Sequence, residues 1–540
     1  MAFDGCGTRK ANGKRDMENT EKRELHLLKK GRKDVIHMVF SRLGLVIILL
    51  LIQVLIQISI FEWFASFLPQ FFGGTMAFAL LMVIVLINMD LDATAKITWL
   101  VIVMLFPVFG VLLFWFIQSD LGHKVLKKRM QGLLRETQDM IPQSQPSVEQ
   151  LSGEQPGVAS LVKYIHRSGC FPVYENTEVT YFPLGEEKFQ KMLVELEQAE
   201  HFIFLEYFII DEGLMWGQIL DILARKAAQG VEVRVMYDGT CELALLPGNY
   251  PKKLQALGIK CKVFAPIRPV LSTHYNYRDH RKILVIDGHT AFNGGVNLAD
   301  EYINHTVKYG HWKDTAVMLK GEAVKSFTLM FLQMWNASEA HMDYGNYLDY
   351  PTGTAHKASG YVLPYGDCPV DNDKVGERVY MDLLNRAQHY VHIMSPYLIL
   401  DGELETAIKF AAERGVDVSI ILPGIPDKKI PYALARTHYA TLLDSGVKIY
   451  EYTPGFVHAK VFVCDDQEAV VGTINLDYRS LYHHFECATY LNGVACIADI
   501  EQDFVQTVAE CRQVSRGNIW KDKKRMCVLG MVVKVIAPLL

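Results

Sequence analysis

A chain of 540 residues is too long to close over one hydrophobic core, and its 50% apolar content suits two domains of about 200 residues each. The formal net charge of −5 counts against a dedicated nucleic-acid binder, whose surface would be basic. Ten cysteines are scattered, with no C-x-x-C pair and no cluster with histidine, so neither a disulfide framework nor a cysteine–histidine metal centre is expected.

Residues 1–42 are polar and rich in Lys and Arg, and read as a basic cytoplasmic segment. Residues 43–118 read as a transmembrane or membrane-associated region with three apolar runs: 43–60, broken only by Gln53 and Gln57; a shorter one at 75–87; and 97–117, with Trp99 and Trp115 near its ends. A spanning helix needs about 20 residues, so the first and third are long enough, and the second is spanning, re-entrant or interfacial. The long basic lead and the absence of a small-residue cleavage pattern argue against a signal peptide. Lys29, Lys30, Arg32, Lys33 and Arg42 precede the runs, and Lys124, Lys127, Lys128 and Arg129 follow them. Positive charge on both flanks places both in the cytoplasm and requires an even number of spans, whereas the runs are three. Residues 119–157 read as a linker, with Gln, Ser, Pro and Gly frequent from 131 onward.

Residues 158–345 and 346–540 form an internal repeat. The stretch AEHFIFLEYFIID at 199–211 parallels AQHYVHIMSPYLILD at 387–401 after a small length adjustment. Gly230-Val231-Glu232-Val233 parallels Gly415-Val416-Asp417-Val418, and Leu257-Gly258-Ile259-Lys260 parallels Ser445-Gly446-Val447-Lys448. Each half reads strand, helix, strand, helix, strand, motif strand, return strand. That order predicts an α/β fold of two similar α/β/α domains with pseudo-two-fold symmetry.

The motif strands carry the chemistry. His280-Arg281-Lys282, four apolar residues and Asp287 match His458-Ala459-Lys460, four apolar residues and Asp465. Both read H-x-K-x4-D, and both run on into a small-residue turn ending in Asn: Gly294-Gly295-Val296-Asn297 and Gly472-Thr473-Ile474-Asn475. Alternation along a strand puts His280 and Lys282 on one face, and likewise His458 and Lys460. The glycine turns return Asn297 and Asn475 beside them. Two copies then set two imidazoles, two ammonium groups and two amides around one cavity. Two histidines supply a nucleophile and a general acid. The Lys and Asn side chains supply charge and donors for a phosphoryl group, with no metal and no cofactor expected. Asp287 and Asp465 complete the motif set, although Asp287-Gly288 is a turn signal and favours a structural role. Asp314 and Glu486 open equivalent strands after each motif. As histidine-orienting acids, Asp314 is expected to serve His280 and Glu486 to serve His458. Glu206, a charge inside an apolar strand, is expected to line the cavity unless paired.

The two motifs resemble those of the phospholipase D superfamily. The fuller strings NYRDHRK at 276–282, GGVN at 294–297, NLDYRS at 475–480 and GVKIYEY at 446–452 are similar to bacterial cardiolipin synthases, as are Asp92 to Lys96, Trp99 and PVFG at 107–110. The resemblance runs from about residue 75 onward. It implies a site at the seam of two lobes, a covalent phosphohistidine without metal, and phosphatidyl transfer between two phosphatidylglycerol molecules with release of glycerol. It also implies a multi-pass protein of the bacterial cell membrane whose partners are phosphatidylglycerol and the lipid bilayer. Which histidine attacks is open in a near-symmetric repeat; the resemblance points to His280. Gly295 and Thr473 stand where such proteins often have Ser, and His484 where Asn is common. A membrane-bound phospholipase D admitting water, a phosphatidylserine synthase-like transferase and a silent membrane scaffold are the competing readings. The presence of both His and both Lys counts against the last. The tail, with Lys521, Lys523, Lys524 and Arg525 before the apolar 526–540, is either an interfacial helix on anionic lipid or a helix closing the second domain.

Overall fold

The computed structural model describes residues 55, 59, 72–89, 91–118, 124–266, 277–339, 343–350, 358–371, 373–535 and 537. The basic lead and all of the first apolar run except Leu55 and Ser59 lie outside the described residues.

The first lobe contributes β1 (Glu178–Phe182), β2 (Phe202–Tyr207), β3 (Glu232–Asp238), β4 (Lys260–Phe264), β5 (Arg278–Asp279), β6 (Lys282–Ile286), β7 (Thr290–Gly294), β8 (His311–Lys313) and β9 (Ala316–Lys320). The second contributes β10 (Tyr361–Asp367), β11 (Tyr390–Met394), β12 (Asp417–Pro423), β13 (Lys448–Tyr452), β14 (Gly455–Val457), β15 (Val461–Cys464), β16 (Glu468–Gly472), β17 (His484–Asn492) and β18 (Cys511–Gln513). The first sheet runs β1-β9-β7-β6-β2-β3-β4 and the second β10-β17-β16-β15-β11-β12-β13-β18. Position for position the orders coincide, with β18 added at one edge. In both, the motif strand pairs antiparallel with the first repeat strand (β6 with β2, β15 with β11), and that strand pairs parallel with the next. The sheets are therefore mixed, because the motif strand and return strands form a meander.

Burial on both faces explains the unbroken apolar strands. Along β2, Ile203, Leu205 and Tyr207 face a core made with helices Gly185–Glu197 and Leu214–Ala228. Phe202 and Phe204 face the opposite core, which is shared with the second lobe. Helix Val324–Trp335 lies within that shared core with 11 buried residues, so one apolar interior runs across the seam.

Two short crossed pairings bind the halves beside the motifs. β5 runs parallel to β17, and the His280 N–H donates to the Phe485 carbonyl at 2.9 Å. β8 runs parallel to β14, and the His458 N–H donates to the Lys313 carbonyl at 2.7 Å.

The second apolar run lies in one helix and the third is divided in two. Helix Phe72–Asn88 has 17 residues. The 97–117 run is two helices, Ala93–Leu105 and Pro107–Gln118, of 13 and 12 residues. Pro107 has no N–H to donate one turn back, so the helix ends at Phe106. At 1.5 Å per residue these helices are about 26, 20 and 18 Å long, against a hydrocarbon core of about 30 Å. Among the described residues, no helix is long and apolar enough to cross a membrane. The C-terminal helix Ile519–Lys534 does close the second lobe: a Cβ on Gly530 would stand 2.1 Å from the Ala433 carbonyl of helix Lys429–Asp444, so only glycine permits the approach. Its outer face leaves Met531, Val532 and Val535 exposed. Thr98 of the N-terminal helices donates to the Val535 carbonyl at 2.7 Å.

Asp287 and Asp465 terminate the motif strands in left-handed conformation, with φ of 50° and 51°. Asp287 accepts backbone N–H bonds from Glu200, His201 and Phe202 at 2.7–2.8 Å. Asp465 accepts from Gln388, His389 and Tyr390 at 2.7–2.9 Å. Each carboxylate clamps the start of the neighbouring strand, roughly 17 Å along the strand from the motif lysine. Asp287→Ala strips three N–H groups of their acceptor, and a loss of about 2–4 kcal/mol is expected in urea unfolding of the detergent-solubilised chain, with turnover per folded molecule retained. Asp465→Ala is expected to lose less, because water reaches the Gln388 and His389 amides.

Candidate active site

The crossed pairings decide which acid meets which histidine. Because His280 hydrogen-bonds the backbone of Phe485, its ring lies beside Glu486: Nδ1 donates to the two carboxylate oxygens at 2.9 and 3.0 Å. Because His458 hydrogen-bonds Lys313, its Nδ1 donates to Asp314 Oδ2 at 2.6 Å. The expected partnership is thus exchanged. Glu486 serves His280 and Asp314 serves His458, each acid reaching across the seam. Equivalence within a repeat fixes where the acid sits in its own half, and not which half's histidine it faces.

Both motifs converge as the spacing requires. His280 and His458 are 6% and 7% exposed, and Lys282 and Lys460 are buried. Lys460 Nζ lies 2.9 Å from His458 Nδ1 and 3.0 Å from its Nε2. Lys282 and Lys460 also each donate to the carbonyl of their own histidine. Aromatic rings wall the imidazoles. Phe208 stands edge-on to His280 at 4.8 Å, and Tyr302 and Trp312 flank His458 at 5.3 and 5.4 Å.

The two asparagines differ. Asn297 is committed to the fold: its Oδ1 accepts from the Ile209 N–H at 3.0 Å and its Nδ2 donates to the Tyr302 hydroxyl at 2.8 Å. Asn475 Oδ1 is buried without a hydrogen-bond partner. The acids differ too. Thr473 and Ser480 both donate hydroxyls to Glu486. Asp314 accepts instead from its neighbour's Thr315 N–H at 2.9 Å. A Cβ on Gly295 would fall 2.0 Å from Asp314 Oδ1, so the equivalent of Thr473 has no room there.

Several contributors escaped the sequence reading. Lys188, buried in helix Gly185–Glu197, donates to the Val296 carbonyl at 3.2 Å and the Tyr207 hydroxyl at 3.3 Å, pinning the turn that carries Asn297. Its position on the apolar face of an amphipathic helix was the available signal. Glu206 does not line the cavity; it is buried against Arg281 in an ion pair at 2.5 Å, and Asp279 holds the other side of that guanidinium at 3.2 Å. His311 bonds the Tyr452 hydroxyl at 2.9 Å, and His289 bonds Thr290 at 2.8 Å. Both are packing residues.

Burial dominates the electrostatics. Desolvation pushes His280 well below the ordinary imidazole range against the pull of Glu486. It takes His458 down to about 4, helped by Lys460. Desolvation also lowers Lys282 to about 8 and Lys460 to about 7. Burial alone would raise Glu486, but His280 holds it well below the usual carboxylate range. The free site is thus two neutral imidazoles, each donating Nδ1–H to an acid of the other half, an ionised Glu486, and two lysines that lose charge near neutrality.

A family model described as "Cardiolipin synthase, PLD-like domain" matches residues 192–335 and 380–508, and one described as "Phospholipase_D-nuclease N-terminal" matches residues 77–118. The chain is 56% identical over 460 residues to an uncharacterized protein of Streptococcus mutans serotype c, covering 85% of this chain and 99% of that one. It is 32% identical over 459 residues to a cardiolipin synthase of Alkalihalophilus pseudofirmus, covering 83% and 91%. It is 34% identical over 452 residues to a cardiolipin synthase of a Geobacillus species, covering 82% and 88%. Among solved structures, phosphatidylserine synthase of Haemophilus influenzae Rd KW20 superposes with a TM-score of 0.52 at 16% identity, over 67% of this chain and 95% of that one, a likeness of fold.

The lowered lysines carry a pH signature. A lysine is charged only below its pKa, so kcat/KM for an anionic lipid is expected to fall as pH rises through about 7 to 8, the values of Lys460 and Lys282. The acid limb is expected well below the ordinary imidazole range, since both histidines stay neutral there. A bound phosphodiester keeps the lysines protonated, so the limb in kcat is expected at higher pH than the limb in kcat/KM. An alkaline limb only near the ordinary lysine value in both would contradict this.

Proposed function

This chain belongs to the cardiolipin synthase family with phospholipase D-like domains, and on that premise we propose that it transfers a phosphatidyl group from one phosphatidylglycerol to another, giving cardiolipin and glycerol. The observation that carries the reading is the pair of buried imidazoles, each with Nδ1–H fixed on an acid from the opposite half and Nε2 left for chemistry. One site with two non-equivalent histidines suits two successive displacements at one phosphorus.

In the first step His280 Nε2 attacks phosphorus, the P–O bond to glycerol breaks, and the departing oxygen takes a proton from the His458 side. The resulting phosphatidyl group is bonded to His280. In the second step the hydroxyl of another phosphatidylglycerol gives its proton to His458 and attacks, and the P–N bond breaks. The difference between the acids supports this division of roles. Two hydroxyl donors on Glu486 weaken its pull on the His280 proton, which favours a neutral nucleophile. Asp314 lacks such hydroxyls and pulls harder on His458, which favours a proton carrier.

A histidine at about 4 holds little proton of its own at neutral pH. Lys460, at about 7 and 3.0 Å from Nε2, is its reservoir: the ammonium passes a proton through His458 to the leaving oxygen and recovers one from the acceptor hydroxyl. Lys282 and Asn475 hold the non-bridging oxygens. Asn297, bonded through both ends of its amide, serves them with its remaining N–H.

Lipid substrates support a site of action at a membrane. Exposed Ile84, Ile97, Met104, Leu105 and Trp115 of the N-terminal helices, joined through Thr98 to the exposed apolar face of the C-terminal helix, support attachment through both ends of the described chain. The helix Ile519–Lys534 then serves both readings of the tail, packing on the lobe with one face and meeting lipid with the other.

Purified protein with phosphatidylglycerol in detergent is expected to yield cardiolipin and glycerol by mass spectrometry. Phosphatidic acid alone would move the assignment to a hydrolase. His280→Ala and His458→Ala are each expected to abolish turnover. With a donor whose leaving group needs no protonation, His458→Ala is expected to trap acid-labile, base-stable label and His280→Ala none. The reverse pattern would exchange the roles. Lys460→Arg keeps the charge but cannot release a proton, so it is expected to lose roughly 10²-fold or more in kcat with little change in KM. Retention of kcat in that variant would remove Lys460 from the proton path.

A further inference from the structure

His484 has no part in the transfer as derived, yet it stands at the centre of the site. It opens β17 two residues before Glu486, so the two side chains share a face of the strand. The pairing of β17 with β5 sets its ring 5.4 Å from the His280 ring. Its side chain is 10% exposed, and its Nδ1 lies 3.6 Å from Glu486 Oε1, beyond hydrogen-bond reach. Both of its ring nitrogens are buried without a hydrogen-bond partner. A buried polar atom left unpaired is costly, and among the described residues the charged group the ring approaches is Glu486, at that 3.6 Å.

We propose that His280, His484 and Glu486 form a site for a divalent transition-metal ion, zinc(II) above all, and that the ion holds the enzyme inactive. One ligating atom from each of the three residues lies within 4.8 Å of the others. Two imidazoles and a carboxylate are a donor set for zinc, with bonds of about 2.0–2.2 Å and a fourth position left for water or a phosphate oxygen. Ligands of a tetrahedral ion at that bond length stand about 3.4 Å apart, so the site closes by an ångström or so around the ion. The hydroxyls of Thr473 and Ser480 already orient Glu486, as outer partners of a ligating carboxylate do.

The inhibition follows from tautomers, and this part rests on His280 being the attacking residue. In the free site the one proton of neutral His280 is on Nδ1, donated to Glu486, and Nε2 carries the lone pair. A metal bonded to Nδ1 takes that place. The imidazole proton then resides on Nε2, the atom that must attack phosphorus. No proton is gained or lost overall, and the nucleophile is masked.

A second group, Glu377, Asp401 and Glu403, offers only oxygen donors, and Lys374 stands 3.6 and 3.8 Å from two of its carboxylates. Oxygen-only sites favour magnesium or calcium, so a test in excess magnesium isolates the nitrogen site.

The test is cobalt(II) titration of the full chain in detergent with excess magnesium, read by visible ligand-field absorption, which needs no turnover. One cobalt per chain is expected, displaced by zinc and absent in His484→Asn. His484→Cys, which restores a zinc ligand, is expected to recover binding, separating a lost ligand from a misfolded lobe. In the phosphatidylglycerol assay His484→Asn is expected to keep metal-free turnover, while the zinc concentration for half inhibition rises roughly tenfold or more. Cobalt absorption unchanged in His484→Asn, or none in the wild type, overturns the site. Equal zinc inhibition in wild type and His484→Asn overturns the mechanism. A raised KM in His484→Asn without any metal signal overturns the proposal in favour of a head-group contact. A chain that bound cobalt but made no cardiolipin would refute the proposed reaction and leave the metal site standing.

Discussion

Everything in this molecule depends on two carboxylates that reach across a seam. Glu486 and Asp314 are fully buried, and each accepts a hydrogen bond from an imidazole of the opposite half. Buried charge is tolerated only when paired. Each acid takes the Nδ1–H of its histidine from the other lobe, and each histidine finds its carboxylate only there. Folding each half correctly therefore includes docking it on the other. The shared apolar interior around helix Val324–Trp335 provides the driving force, and the crossed strands β5/β17 and β8/β14 provide the register.

The dry interior that demands this pairing also gives the residues their reactivity. Lysine in water would hold its proton far above neutrality. Here burial brings Lys460 to about 7, within reach of an imidazole it touches. The same burial keeps the histidines neutral, so that one has a free lone pair. A more open site would hold the same side chains with ordinary proton affinities and little of this function.

The repeat, the succession of elements along each half and the apolar motif strands were legible in the sequence because each is set by local pattern: glycine turns and apolar runs buried on both sides. The histidines themselves lie just before those strands, between β5 and β6 and between β14 and β15. A structural role for Asp287 was legible from the Asp287-Gly288 turn, but the clamp that it and Asp465 make on the neighbouring strand was not. The partner of each acid was not, because that is a property of how two copies meet, and every local cue is identical in both. Pro107 was a visible break inside the 97–117 run, but counting apolar residues gave hydropathy precedence over the missing N–H. Glu206 looked like a cavity residue because its partner Arg281 is the variable position of the motif, where the pattern carries no expectation.

The fused seam has an evolutionary consequence. Two identical copies assembled as a symmetric dimer would build the same crossed pairs, but every substitution would strike both half-sites at once. Joined in one chain, the copies can drift apart independently. The copies now differ at equivalent positions: Glu486 where the first half has Asp314, Thr473 where it has Gly295, and His484 where it has Trp312. A symmetric ancestor could only have used either histidine for either task. Covalent linkage of the halves is what allows a division of labour to be written into the sequence, one half at a time.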